Sequence, residues 1–235
     1  ITGIPQDAQG YIWFTSSGSG LNRYDGYHIT TYRHDPGNSN SVGLDRLECL
    51  EADTNDIIWV GTFGAGLDRF NVSSGRFTHF RHDPKNEHSI VSDTVVVIKK
   101  DHEGTLWIGT AMGLDKFDPL SETFTHFVHK NNDPTSLSNN QVRAIYEDKE
   151  RTLWIGTGSP FPGETPDDEG GLNKFNPKTG TFNRYMHDDK DPHSLVNNKV
   201  RAIFEDSRGT FWVGTAGDGL HTMDRKTGLF TRYTY

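Results

Sequence analysis

Apolar residues recur along the chain in short segments, and these segments repeat in groups of four. We name the segments of a group A to D in chain order; segment B carries a tryptophan in every group. Successive tryptophans lie 46, 48, 47 and 58 residues apart, close to the period of β-propeller blades. No stretch has a sustained helical period, so the pattern predicts an all-β chain of five repeats. The tryptophans are Trp13, Trp59, Trp107, Trp154 and Trp212.

Segment B also predicts how the repeats pack. In Leu106-Trp107-Ile108, neighbouring residues point to opposite faces of a strand, yet all three are apolar. Such a strand is covered on both faces, as in sheets stacked around an axis. The sequence therefore predicts a single β-propeller domain of five four-stranded antiparallel blades, at about residues 1–42, 43–90, 91–137, 138–195 and 196–235. A five-bladed ring is the simplest form, and part of a larger ring, completed by another copy, is the alternative.

Residues shared by the repeats are interpreted as structural. An aspartate precedes each turn between segments A and B, where we expect it to accept local backbone N–H groups rather than to form a carboxylate ring. The tryptophans are predicted to form the core between blades rather than sugar platforms, because apolar residues flank them. The aspartates are Asp7, Asp53, Asp101, Asp148 and Asp206.

A histidine recurs two residues after the last aromatic residue of segment D, as His34, His82, His129 and His187. Since these histidines lie on separate blades, we expect them to brace loops rather than to form one metal site. A calcium ion in the Asp-Pro loops that follow is the alternative, although no dense set of acidic ligands is present. Neither a metal nor a cofactor is predicted.

Charge and composition exclude several classes of partner. The chain has 24 Lys and Arg against 32 Asp and Glu, a net charge of −8, and no basic stripe, so we expect no nucleic-acid binding. No apolar run approaches 18 residues, so we expect no membrane insertion of this segment. Cys49 is the single cysteine, so an internal disulfide is impossible. The chain begins at Ile1 without a methionine or signal peptide, which indicates a processed or excised piece.

Positions that differ between repeats are the candidates for ligand binding. The D–A and B–C connections are expected to share one rim, where their residues would converge on the mouth of a central channel. Polar groups of both signs around a narrow mouth suit a small hydroxyl-rich or anionic ligand. The alternative is that the Asp and Asn residues cap the D–A loops. The candidates are Asp45, Arg46, Glu48, Asp93, Asn140, Gln141, Arg143, Asn198, Lys199 and Arg201.

The fourth repeat carries an insertion of about ten residues after Trp154, between segments B and C. Insertions in repeat proteins map to loops on one face, often the binding face. Neutral drift of a surface loop is the alternative. The candidate residues of this loop are Phe161, Glu164, Asp167, Asp168 and Glu169.

Catalysis is not predicted. The chain has no Gly-x-Ser-x-Gly motif, no His-Glu-x-x-His motif and no phosphate-binding glycine loop. Carboxylate pairs for glycoside hydrolysis could be chosen from any acidic propeller, so none is assigned.

Residues 136–185 state one repeat almost in full. They contain Ser136-Leu-Ser-Asn-Asn140, Val142-Arg-Ala-Ile145, Leu153-Trp-Ile-Gly-Thr157 and Gly171-Leu-Asn-Lys-Phe175. This unit resembles the two-component regulator propeller repeat, and the resemblance covers the whole chain. Residues 1–36 resemble the opening repeat of such a region. The resemblance implies the periplasmic sensor region of a bacterial hybrid two-component system, many of which detect oligosaccharides.

We therefore expect a non-catalytic, ligand-sensing propeller of a bacterial extracytoplasmic protein, periplasmic or extracellular, that binds an oligosaccharide or another small polar ligand. The first alternative is a module for protein–protein interaction or self-association. The second is a carbohydrate lyase or hydrolase.

Overall fold

The computed structural model describes residues 1–16, 18–159, 169–217 and 219–233. These residues form strands joined by turns and loops, and none of the described residues forms a helix that could cross a membrane. The strands build five antiparallel sheets in chain order. The predicted all-β class and the five β-propeller blades are confirmed.

Four of the five blades have four strands, each paired with its neighbours in sequence. The second blade comprises β4 (Leu47–Ala52), β5 (Ile57–Thr62), β6 (Leu67–Asn71) and β7 (Arg76–Phe80). The third comprises β8 (Val95–Lys100), β9 (Leu106–Thr110), β10 (Gly113–Asp118) and β11 (Thr123–Phe127). The fourth comprises β12 (Val142–Glu147), β13 (Leu153–Thr157), β14 (Gly171–Asn176) and β15 (Thr181–Tyr185). The fifth comprises β16 (Val200–Glu205), β17 (Phe211–Thr215), β18 (Gly219–Met223) and β19 (Phe230–Tyr233).

The first blade has three strands, β1 (Ile12–Ser16), β2 (Gly20–Tyr24) and β3 (Ile29–Tyr32). The sequence pattern predicts strand A of the first repeat at residues 1–4. This prediction is wrong: the segment before β1 forms only two isolated bridges, Gly3 with Thr15 and Gln6 with Ile12. Pro5 lies between the bridges and has no N–H to donate to a ladder. Its carbonyl still accepts the Trp13 N–H at 2.9 Å.

The chain forms two compact units. Unit 1 comprises residues 1–111 and 115–126, and unit 2 comprises residues 112–114 and 127–235. In unit 1, one apolar cluster joins the first and second blades around Trp13 and Phe70, and another joins the second and third around Trp59 and Phe117. The blade limits and the single domain stay predictions.

The tryptophans of β1, β5 and β13 lie between blades, as predicted. Trp13 and Trp154 are fully buried and Trp59 is 5% exposed. The rings of Trp59 and Phe117 are 5.3 Å apart, and those of Trp154 and Phe211 are 4.9 Å apart, with each pair spanning two successive blades. Edge and tilted contacts of this kind add to the burial of apolar area.

The A–B turn aspartates hold both the turn and the tryptophan. Asp148 Oδ1 accepts the Glu150 and Thr152 N–H groups at 3.0 and 2.8 Å, and its Oδ2 accepts Trp154 Nε1 at 2.8 Å. Asp7, Asp101 and Asp206 make the same three bonds in their own blades. The predicted structural role is confirmed for these four turns.

The second blade departs from this pattern. Asp53 contacts Thr54 and the ammonium group of Lys100 from the third blade. Trp59 Nε1 is left buried with no hydrogen-bond partner among the described atoms. A buried donor without a partner carries its full desolvation cost.

Candidate functional site

The D–A and B–C connections of one blade lie on the same edge, as the predicted rim requires. In the second blade, the Phe63 N–H donates to the Arg46 carbonyl at 3.0 Å. In the fifth, the Ala216 N–H donates to the Lys199 carbonyl at 2.9 Å. Backbone bonds therefore fix the two connections beside each other.

Four candidates of the rim hold the start of a D–A loop. Asp45 accepts the backbone N–H of His34 at 2.8 Å, and Asn140 accepts that of His129 at 2.7 Å. The other two blades have the same arrangement: Asp93 accepts the His82 N–H at 2.8 Å, and Asn198 accepts the His187 N–H at 2.7 Å. These four side chains therefore cap the D–A loops.

The recurring histidines brace the same loops, as predicted. Nδ1 of His129 lies 2.6 Å from the Leu137 carbonyl, and Nδ1 of His187 lies 2.7 Å from the Leu195 carbonyl. His34 and His82 make the equivalent contacts in unit 1. The described residues contain no group of three or more His, Cys, Asp or Glu side chains placed to hold a metal ion.

A second contact ties each loop to strand C of its own blade, and its chemistry changes from blade to blade. The loop N–H groups of Gly43 and Val91 donate to the carboxylates of Asp68 and Asp115 at 2.6 and 2.8 Å. In unit 2, the Ser138 N–H donates to Asn173 Oδ1 at 2.9 Å, and the Val196 N–H donates to His221 Nε2 at 3.0 Å. The four acceptors are fully buried.

The partners on strand D differ as well. In unit 1, His79 Nδ1 lies 2.6 Å from Asp68 and His126 Nδ1 lies 2.5 Å from Asp115. Hydrogen bonding to the carboxylate raises the pKa of each histidine. In unit 2, strand D carries Arg184 and Arg232 instead, and their guanidinium groups donate to loop carbonyls such as Ser136 O and Ser194 O, both at 2.8 Å.

In the fifth blade, the pKa of His221 is shifted in the opposite direction. His221 is fully buried, and burial lowers its pKa. Nε2 accepts the Val196 N–H, so the proton of the neutral ring is on Nδ1, which lies 3.1 Å from the Val213 carbonyl. This loop contact requires an unprotonated Nε2.

Strand A contains a β-bulge at its second position in the second to fifth blades. The pairing registers shift between Leu47 and Cys49, and between Val142 and Ala144. The same shift occurs in β8 and β16. The bulged residues are Glu48, Val96, Arg143 and Arg201. Bulges re-aim side chains and are common beside active sites.

In unit 1, the rim of the second blade combines charge with an exposed aromatic ring. Arg46 Nε donates to Glu48 Oε1 at 3.2 Å, and its guanidinium lies 3.4 Å from the centroid of the Phe63 ring. Phe63 is 43% exposed. Sequence reasoning missed Phe63, although an aromatic residue directly after the Gly-Thr of segment B was a usable signal.

In unit 2, the rim of the fourth blade is a chain of polar side chains. Arg143 Nη2 donates to Gln141 Oε1 at 2.7 Å, and the Gln141 N–H donates to Asn139 Oδ1 at 2.8 Å. Asn139 Nδ2 in turn donates to Glu169 Oε2 at 2.8 Å. Glu169, at the end of the insertion, is therefore brought to the rim beside Gln141.

Four candidates of the insertion, Phe161, Glu164, Asp167 and Asp168, lie outside the described residues. Both ends of this connection bond to the segment before β12. The Gly158 N–H donates to the Gln141 carbonyl at 3.0 Å, and the Gly170 N–H donates to the Ser138 carbonyl at 3.1 Å. The insertion thus starts and ends at the rim of the fourth blade.

The family model of the two component regulator propeller matches residues 89–112, 136–159 and 194–217. Each match starts in a D–A loop and covers strands A and B of one blade. One segment in each of the third, fourth and fifth blades therefore matches the two component regulator propeller repeat. The resemblance stated from residues 136–185 is confirmed. No curated protein matches the chain.

Solved structures share the propeller fold. The extracellular domain of a hybrid two component system from B. thetaiotaomicron is 27% identical with a TM-score of 0.81, over 100% of this chain and 30% of that one. A one component system of the same organism is 19% identical, with a TM-score of 0.56 over 100% and 37% of the two chains. PorZ, a component of the type-IX secretion system of Porphyromonas gingivalis, is 18% identical, with a TM-score of 0.63 over 95% and 33%. The chain thus spans about a third of the length of these proteins.

Proposed function

We propose that this chain is the non-catalytic, ligand-binding part of a bacterial extracytoplasmic sensor. It binds an oligosaccharide, or another small polar ligand, at the rim formed by the D–A and B–C connections. The propeller repeats and the similarity to an extracellular domain of a hybrid two component system support the sensor assignment and the location outside the cytoplasm.

The observation that carries this proposal is the bulge of strand A. The positions on either side of it are apolar or small in each of these blades, as in Leu47 and Cys49 or Val200 and Ala202. The bulged position itself changes from acidic to apolar to basic along the chain. A recurring backbone feature that presents an acidic, an apolar or a basic side chain, depending on the blade, suits recognition, whereas packing positions vary little between blades.

The side chains on the rim match the chemistry of sugars. The guanidinium of Arg143 and the amides of Gln141 and Asn139 supply donors and acceptors in fixed positions, which suits hydroxyl groups. In unit 1, the exposed ring of Phe63 offers an apolar face beside Arg46 and Glu48. Apolar surface with a few fixed polar groups is the usual composition of a small-molecule site.

The experiment is a glycan-array screen of the chain, followed by calorimetric titration of each oligosaccharide that binds. Arg143→Ala and Arg201→Ala are expected to weaken binding at least tenfold, because each removes a charged donor. Arg208→Ala is the matched control, since Arg208 lies in an A–B turn rather than at the rim. The assignment of an oligosaccharide as the ligand fails if no oligosaccharide binds, or if both rim variants bind as the wild type does.

Chromatography of the bound glycan after incubation tests the enzymatic alternative. Recovery of an unchanged oligosaccharide is expected. Shortened or unsaturated products would show a hydrolase or lyase and would contradict the non-catalytic assignment.

A further inference from the structure

A cavity lies between the D–A loop that follows the first blade and strand D of the second blade, both in unit 1. It has a volume of about 210 Å³, and Asn38, Ser39, His79 and Arg81 are among the residues that line it. One water molecule takes up about 30 Å³ in the liquid, so the cavity is large enough for a polyatomic ligand. The structure describes every candidate of the rim, and none of these residues lines the cavity.

His79 contributes a positive charge to this cavity. Its Nδ1 lies 2.6 Å from the Asp68 carboxylate, which also accepts the Gly43 N–H at 2.6 Å. Its Nε2 lies 3.1 Å from the carbonyl of Ser39. A carboxylate and a carbonyl can only accept hydrogen bonds, so both ring nitrogens carry a proton and the ring is an imidazolium.

Arg81 brings a second positive charge to the same cavity. Hydrogen bonding to Asp68 raises the pKa of His79, and the nearby charge of Arg81 opposes this increase. Arg81 is exposed and forms no ion pair with a carboxylate in the part of the chain that the structure describes. The Asp35 carboxylate also lines the cavity, where it accepts the N–H of Gly37 in its own loop at 2.9 Å. The guanidinium of Arg81 is therefore available to a ligand.

This combination differs from the equivalent places in later blades. The position of Arg81 on the chain is taken by Val128 after strand D of the third blade and by Met186 after that of the fourth. The position of Ser39 is taken by Glu87 in the next D–A loop, where its carbonyl accepts from a strand D histidine in the same way. Here a basic residue of the second blade thus faces a small, neutral residue of the loop.

Two neutral hydrogen-bond donors complete the lining. Asn38 Oδ1 accepts the Asn40 N–H at 3.0 Å, so its Nδ2 is a donor. The hydroxyl group of Ser39 is another. Neither donor is bonded to a second residue within the described ranges. A guanidinium with amide and hydroxyl donors beside it matches the geometry of an oxyanion.

We propose that this cavity binds an oxyanion, that is, a sulfate, phosphate or carboxylate group. Arg81 donates to the oxyanion, Asn38 and Ser39 are further donors, and the imidazolium of His79 adds the second positive charge. The group is either a free inorganic anion or the acidic group of a sugar, because the two present the same oxygen atoms. The site does not depend on ligand binding at the rim.

The test is an NMR titration of the ¹⁵N-labelled chain with sodium sulfate, with sodium chloride keeping the ionic strength constant. We expect saturable shifts of the Asn38 and Ser39 amides and of the Arg81 side-chain N–H. Arg81→Met removes the charged donor and is expected to weaken sulfate binding by about tenfold or more. Arg33→Met is the matched control, because Arg33 has the same position in the first blade but does not line the cavity. It should bind sulfate as the wild type does.

A second variant tests the site without removing a cation. Asn38→Asp keeps the oxygen that accepts the Asn40 N–H but replaces the amide donor with a second carboxylate oxygen. Repulsion between this carboxylate and the anion is expected to abolish saturable sulfate binding. The melting temperature establishes that each variant is folded.

Titration with glucuronate, and with glucose as its uncharged counterpart, distinguishes the two sources of the oxyanion. Saturable binding of sulfate or glucuronate at Asn38 and Arg81 supports the site, and the tighter of the two identifies the source. The proposal is overturned if neither anion gives saturable shifts there, or if glucose binds as tightly as glucuronate. It is also overturned if Arg33→Met weakens binding as much as Arg81→Met does.

Discussion

Units 1 and 2 hold equivalent loop amides with different chemistry. In unit 1, the N–H groups of Gly43 and Val91 donate to buried carboxylates that also pair with a histidine. In unit 2, the equivalent N–H groups of Ser138 and Val196 donate to a neutral amide and a neutral imidazole. The backbone geometry is the same in the four blades, so the repeat requires an acceptor at this position but not a charged one.

The two units therefore differ in how they respond to pH. His79 and His126 have pKa values raised above the ordinary value of 6.5. Their contribution to stability is complete below pH 6.5 and is lost as the pH rises through the raised pKa. The pKa of His221 is lowered, so its contribution is present above pH 6.5 and is lost as the pH falls towards the lowered pKa. The loops of unit 1 are therefore expected to weaken as the pH rises, and the last loop of unit 2 as the pH falls.

The largest effect is expected from removing a buried carboxylate of unit 1. Asp68→Ala leaves the Gly43 N–H and His79 Nδ1 without their acceptor, so we expect the free energy of unfolding to fall by about 3 kcal/mol. Urea denaturation measures this change. Asp189→Ala is the control, because its side chain is 96% exposed and a change within about 0.5 kcal/mol is expected. An equal loss in both variants would contradict the role of Asp68.

A smaller difference is expected between two tryptophans. Trp154→Phe removes the bond to Asp148, whereas Trp59→Phe removes a buried donor that has no partner. Both substitutions lose the same volume. Trp154→Phe should therefore lower the free energy of unfolding by about 1–3 kcal/mol more than Trp59→Phe. Equal losses in urea denaturation would show that the indole–aspartate bond adds nothing to the packing of the ring.

The smallest change in the free energy of unfolding is expected when the loop acceptor of the fifth blade, His221, is replaced by asparagine, the residue type that accepts the equivalent N–H in the fourth blade. In His221→Asn, the amide oxygen takes the place of Nε2, as in Asn173, and does not titrate. At pH 8 we expect a change within about 1.5 kcal/mol. Between pH 8 and pH 5, the amide protection of Val196 should stay constant in the variant. If it still falls with pH, His221 is not the titrating group.

Much of the fold could be predicted from the sequence because it depends on local patterns that recur along the chain. Each of these patterns involves residues only a few positions apart: strand B, the A–B turn aspartates and the bracing histidines. Because the repeat occurs five times, an assignment that is ambiguous in one copy is decided by the others. The first strand A was predicted from Ile1 and Ile4 but is broken at Pro5, where a local feature overrides the repeat.

The features that escaped sequence analysis depend on contacts between distant residues. The bulges could not be predicted from the sequence, because Val142 and Ala144 have the two-residue spacing of an ordinary alternating strand. The stacking of Arg46 on Phe63 joins residues of two connections, and the pairing of Asp68 with His79 depends on the register of two strands. Whether the rim residues bind a ligand stays a prediction.

The most direct test of the opposite pH responses is hydrogen exchange by NMR at the four equivalent amides, from pH 5 to pH 8, after correction for the intrinsic exchange rate. We expect that protection of Gly43 and Val91 falls as the pH rises, that protection of Val196 increases, and that protection of Ser138 is constant. Protection that changes in the same direction at Val91 and Val196 would contradict the opposite pH responses of the two units.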